Sequence, residues 1–67
     1  MEHRIKELRT SSGWTQEQLS EKLGVSRQTI ISIENGRYKP SLELAYKTAK
    51  LFGLTIEDVF IFEEESE

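Results

Sequence analysis

The chain has 67 residues, no cysteine, one histidine and a formal charge of −3. A length of this order holds one domain, residues 1–67, and buries only about 60% of the surface its unfolded form exposes, so it calls for a tight core or a partner subunit. Disulfides, thiolate metal sites and cysteine nucleophiles are excluded, and no run approaches the roughly 20 apolar residues that span a bilayer.

The first predicted helix runs from Glu2 to Thr10, with Ile5 and Leu8 on one face, and Ser11-Ser12-Gly13 ends it. Trp14 stands before the next helix as a hydrophobic-staple candidate, and Thr15 with Gln18 forms a capping box. The second helix runs from Gln16 to Leu23, with Leu19 and Leu23 on its apolar face and Gly24 as a left-handed C-cap. Ser26 caps a third helix from Arg27 to Asn35, whose inward face is Ile30 and Ile33; Asn35-Gly36 stops it. Arg37-Tyr38-Lys39-Pro40 reads as an extended loop, because the residue before proline is kept out of the helical region. Ser41 caps a fourth helix, Leu42 to Phe52, with Leu42, Ala45, Ala49 and Phe52 assigned to one face, and Gly53 ends it. Thr55 and Asp58 repeat the capping-box pattern and open a short fifth helix, followed by Phe60-Ile61-Phe62, which is too apolar for a free tail.

The join between the second and third helices carries the functional signal. Gly24 permits a tight turn, Val25 plugs it into the core and Ser26 caps the next helix, which is the spacing of a helix-turn-helix over residues 16–35. Corners of this kind also occur in helical cores that bind nothing. The run Leu8-Arg9, Thr15-Gln16, Leu19, Leu23-Gly24-Val25-Ser26-Arg27-Gln28-Thr29-Ile30, Ile33-Glu34-Asn35-Gly36, Pro40-Ser41-Leu42 and Leu51-Phe52-Gly53 closely resembles the Cro/C1-type phage-repressor (XRE) family. The resemblance spans nearly the whole chain and is closest to the short stand-alone members. It implies an all-α, compact five-helix, lambda-repressor-like domain that binds duplex DNA and regulates transcription, usually as a dimer.

The resemblance also assigns roles. Gln16 matches a glutamine that touches the DNA backbone, and an amide beside exposed helix N–H groups suits a phosphate. Arg27 and Gln28 match base-reading positions; arginine pairs with guanine and glutamine with adenine, although Arg27 can instead reach a phosphate. Thr29 either contacts phosphate or completes the cap of Ser26, and the Ser26 hydroxyl can serve both purposes. Ile31 and Ser32 depart from the family, which has a small or polar residue and often lysine there. Ile31 either packs on thymine methyls or on a neighbouring loop. Asn35, Arg37, Tyr38 and Lys39 belong to the loop that lies along the duplex backbone in the family; as residue types alone they are ordinary surface groups. Arg9 and Glu34 match a structural pair that bridges the first helix to the end of the third.

Charge distribution is compatible with this picture. Residues 1–54 carry all nine basic residues and six acidic ones, a net of +3, whereas residues 55–67 carry six acidic residues and no base, a net of −6. The acidic end can sit away from DNA, and a plain solvated tail explains it equally well. Ile56, Val59, Phe60 and Phe62 are candidates for a two-fold apolar contact, supported by Leu54, on the side where family members commonly dimerise. The alternative is that Phe60 and Phe62 close the core of the monomer. Phe60 to Glu63 can form a short strand against Met1 to Arg4, because the small family members carry a two-stranded antiparallel sheet there.

The expected function is a sequence-specific repressor acting as a homodimer on a palindromic operator. An antitoxin that binds DNA, and a helical protein-interaction module without DNA binding, are the alternatives; the presence of Gln16, Arg27, Gln28 and Arg37 speaks against the module. No carboxylate pair or Gly-rich phosphate loop suggests an enzyme, His3 has no metal-ligand partners, and no cofactor or effector pocket is indicated. The N-terminus lacks the apolar core of a signal peptide, so a cytoplasmic location is expected.

Overall fold

The structure, a computed structural model, describes residues 2–61. The elements are β1 (Glu2–His3), α1 (Ile5–Ser11), α2 (Gln16–Leu23), α3 (Arg27–Glu34), α4 (Leu42–Leu51), α5 (Ile56–Val59) and β2 (Phe60–Ile61). Five helices surround a core that includes Ile5, Leu19, Leu23, Ile30, Ile33, Val59 and Phe60. The two short strands pair antiparallel, Glu2 with Ile61 and His3 with Phe60. The sheet of the termini therefore forms; its expected extension over Phe62 and Glu63 lies outside the described residues.

Local chemistry explains where the helices begin. The Thr15 hydroxyl accepts the Gln18 N–H at 3.0 Å, and the Gln18 side chain accepts the Thr15 N–H at 2.9 Å. Ser26 accepts from the Thr29 N–H and Ser41 from the Leu44 N–H, both at 3.1 Å. Each bond satisfies an N–H that the helix itself leaves without a partner. The first helix starts at Ile5 rather than Glu2, because Glu2 and His3 extend to pair with β2. The Ile5 N–H is taken at 3.3 Å by His3 Nδ1.

The face assigned to the fourth helix needs a correction. Leu42 is 77% exposed, and the buried stripe is Leu44, Ala45, Thr48 and Ala49. Leu42 opens the helix just past its cap and projects beyond the core. Thr48 hides in the interior because its hydroxyl donates to the Leu44 carbonyl at 2.8 Å, which satisfies the group without water. Phe52 lies at the edge, where Trp14 stacks on it with ring centroids 5.6 Å apart. Trp14 is thus a packing residue, and Lys22 Nζ lies 4.6 Å from its ring centroid.

The capping box of α5 gives a pH prediction. The Thr55 backbone N–H, and then its hydroxyl, hold the Asp58 carboxyl below the ordinary carboxylate range; slight desolvation opposes this and the Arg4 charge adds to it. A carboxylate with a depressed folded-state pKa contributes stability that is present above its unfolded pKa and is lost as pH falls through the folded value. Asp58→Asn should therefore flatten the acid limb of stability. Urea midpoints measured from about pH 5 down to about pH 2 should fall less steeply for the variant than for wild type. Parallel curves would show that the cap is not charge-dependent.

Candidate nucleic-acid interface

Helices α2 and α3 meet through Gly24-Val25-Ser26. Gly24 adopts φ 73°, a left-handed conformation that side chains disfavour, and its N–H bonds back to the end of α2. Helix α3 is anchored from behind, with Ile30 and Ile33 buried, while Arg27 and Gln28 in its first turn are exposed. Gln28 Nε2 donates to Ser32 Oγ at 3.3 Å, one turn along. The Ser26 and Thr29 hydroxyls lie 2.9 Å apart, so Thr29 takes part in the cap and is half-buried. Ile31 and Ser32 are also half-buried.

The end of α3 fixes the next segment. Gly36, at φ 76°, donates its N–H to the Ile33 carbonyl at 3.0 Å, and the Arg37 N–H reaches the Ser32 carbonyl at 2.9 Å. This is a Schellman motif, which satisfies carbonyls that the helix leaves open. The Tyr38 N–H joins the same Ser32 oxygen at 3.2 Å. Asn35, Arg37, Tyr38 and Lys39 are exposed on the resulting loop.

A polar network sets the relation of the helices. Arg9 Nε donates to Glu34 Oε2 at 2.7 Å and Nη2 to Oε1 at 3.2 Å, a bidentate pair. Arg9 Nη1 donates to the Trp14 carbonyl at 2.9 Å. The two side chains are 10% and 4% exposed. Gln16 adds a third donor to Glu34, through Nε2 at 3.1 Å. The family resemblance assigns Gln16 to the DNA backbone; in the structure its amide nitrogen braces the first turn of α2 against the last residue of α3. Because 18 residues separate the two, spacing gives no sign of this bond.

Two of the residues expected at a two-fold contact are placed elsewhere. Val59 and Phe60 are 0% and 1% exposed and belong to the core of the subunit itself. Their assignment to an intersubunit contact is corrected: Val59 ends α5 and Phe60 opens β2 opposite His3, and the subunit itself covers both side chains. Phe62 lies outside the described residues. Ile56 and Leu54 are half-buried and, with Leu42, Tyr46, Lys50 and Glu57, line a largely apolar groove of about 460 Å³ between α4 and α5. Lys47 carries no signal in the sequence, yet its Nζ lies 4.0 Å from where a Cβ would stand on Gly24, beside the turn. Among the described residues no cluster of His, Asp and Glu is placed to hold a metal ion, and no helix is long and apolar enough to cross a membrane.

Comparison with known proteins agrees with this geometry. A helix-turn-helix family model matches residues 5–59. The chain is 57% identical over 65 residues to an uncharacterised HTH-type transcriptional regulator of Methanocaldococcus jannaschii, covering 97% of this chain and 98% of the relative. It is 38% identical over 69 residues to the immunity repressor protein of Bacillus phage phi105, covering 96% of this chain and 48% of that protein. The crystal structure of the hypothetical transcription factor NHTF from Neisseria superposes with a TM-score of 0.76 at 25% identity, over 82% of this chain and 62% of that one. The chain belongs to the helix-turn-helix family, of the Cro/C1 (XRE) type that its sequence resembles.

Proposed function

We propose that this chain is a sequence-specific DNA-binding regulator of transcription that represses, in the cytoplasm, as a homodimer on a palindromic operator. The observation that carries this reading is the setting of α3. Its apolar face is locked into the core, while its first turn presents Arg27 and Gln28 to solvent. A helix held in this way can enter the major groove, where arginine and glutamine read guanine and adenine edges. Arg37, Lys39 and the exposed loop around them suit the phosphate backbone, with Ser26, Thr29, Ile31, Ser32, Asn35 and Tyr38 around the same helix. Its relatives include transcriptional regulators and a phage repressor, not enzymes. Repression by occupancy needs nothing beyond DNA affinity.

The dimer is supported by the α4–α5 groove. Leu42 and Tyr46 are exposed large side chains beside half-buried Leu54 and Ile56. Lys50 and Glu57 line the same groove. A two-fold axis there can set Lys50 of one protomer against Glu57 of the other while burying the apolar side chains.

Selection of bound duplexes from a random library tests the reading. Two related half-sites in two-fold symmetry, spaced by about 34–36 Å along the duplex, are expected. Arg27→Ala or Gln28→Ala should then lower preference for the selected site by about 1–3 kcal/mol for each base edge that is no longer read. A single unrepeated half-site would remove the dimer, and absence of any enriched sequence would remove specific DNA binding. A reporter whose output rises on binding would make the protein an activator.

A further inference from the structure

His3, the single histidine of the chain, makes a contact beyond its pairing with Phe60 and its bond to the Ile5 N–H. Its ring joins parts of the fold that are far apart in sequence. Nδ1 lies 3.3 Å from the Ile5 backbone nitrogen, and Nε2 lies 2.8 Å from the Ile33 carbonyl oxygen. The Ile5 N–H can only donate, so Nδ1 is the bare acceptor. The Ile33 oxygen can only accept, so Nε2 carries the proton. Both contacts select the same neutral tautomer. The ring also stands edge-on to Phe60, its strand partner, with centroids 6.2 Å apart at 64°.

The acceptor is the informative end. The Ile33 oxygen also receives the Gly36 N–H at 3.0 Å, the bond that closes the Schellman motif. Its two lone-pair directions are shared between His3 and the first residue of the loop. A cavity of about 170 Å³ separates His3 from the loop between Gly36 and Pro40. The loop is thus held through hydrogen bonds to the Ser32 and Ile33 carbonyls rather than by close packing on the terminal sheet. Loss of the His3 bond frees the carbonyl that anchors the loop, in a place with room for the loop to shift.

We propose that His3 is a positioning residue for DNA binding: its Nε2–H bond to the Ile33 carbonyl ties the terminal sheet to the end of α3 and sets the pose of the loop from Gly36 to Lys39 on the duplex backbone. This inference rests on the reading of α3 and its loop as the DNA interface. The loop contributes backbone contacts, so the effect falls on all duplexes alike rather than on sequence preference.

The test uses the full chain with His3→Ala and His3→Gln. A glutamine places its amide nitrogen close to where Nε2 stands and can donate to the same oxygen. Fluorescence anisotropy is read on the selected duplex and on a scrambled one across a salt series, with hydrogen exchange at the Arg37 and Tyr38 amides. His3→Ala should bind both duplexes about three- to tenfold more weakly, the scale of one hydrogen bond. Its salt slope should be shallower, because phosphate contacts are loosened. Exchange should quicken at Arg37 and Tyr38 but not at Leu19 or Ile30, and His3→Gln should recover affinity to within about twofold. Wild-type affinity and slope in His3→Ala overturn the proposal. So does a uniform loss of protection that His3→Gln fails to rescue, which would make His3 a fold residue only. If wild type binds neither duplex, or binds them without salt dependence, the DNA reading itself has failed and the positioning role falls with it.

Discussion

Replacing Glu34 by alanine should remove about 3–5 kcal/mol of folding stability, the usual cost of leaving a buried charge without its partner. Domains hold roughly 0.05–0.15 kcal/mol per residue, so a chain of 67 residues loses from about a third to all of its stability. The reason is the completeness of the network. Glu34 receives Arg9 through two nitrogens and Gln16 through a third. Without the carboxylate, Arg9 keeps only the Trp14 carbonyl, in a site where its side chain is 10% exposed. Arg9→Ala should cost less, because Glu34 retains the Gln16 donor. Urea unfolding followed by circular dichroism gives both values, and the double variant closes a cycle in which the coupling should exceed about 1 kcal/mol. Additive losses would mean that the two side chains contribute independently rather than as a pair. Replacing both by Met and Leu should restore much of the stability, since well-packed apolar side chains often match a buried ion pair. DNA affinity need not return with it, because the pair also sets the angle at which α3 leaves the core.

Features that depend on neighbours three or four residues away are legible in the sequence. The Thr15–Gln18 and Thr55–Asp58 boxes, the Ser26 and Ser41 caps and the Gly24 turn are all local chemistry. So is the inward face of α3. The face read for the fourth helix takes in Leu42 and leaves out Leu44 and Thr48; Thr48 can be buried because its hydroxyl is satisfied within the helix. Arg9 with Glu34 is accessible only through family resemblance, since 25 residues separate them. Gln16 with Glu34 and His3 with Ile33 span 18 and 30 residues and have no signature of their own. The four apolar residues Val59 to Phe62 pose a different problem. A hydrophobic run states that surface must be covered, not by which chain, and the answer for Val59 and Phe60 depends on pairing with a strand at the opposite terminus.

That distinction gives the second large effect. Phe60→Ala should cost about 3–5 kcal/mol by emptying a core site that the small fold cannot easily collapse. Phe60 is 1% exposed within a single subunit, packs with Val59 in the core and meets His3 at its ring edge. The loss is therefore expected in the monomer, independent of association. Ile56, half-buried at the α4–α5 groove, should behave in the opposite way. Truncating it removes less intrachain packing and more of the surface available to a second copy. Unfolding midpoints measured over a wide range of protein concentration separate the two, because a dimer coupled to folding becomes more stable as concentration rises. Phe60→Ala should lower the midpoint at every concentration and leave the slope of that dependence in place, as far as the folded state remains populated. Ile56→Ala should flatten the slope with a smaller loss at the dilute end. If Phe60→Ala instead abolished the concentration dependence while the dilute midpoint held at its wild-type value, the side chain would belong to the interface after all, and the strand would have to open from the core when two copies meet.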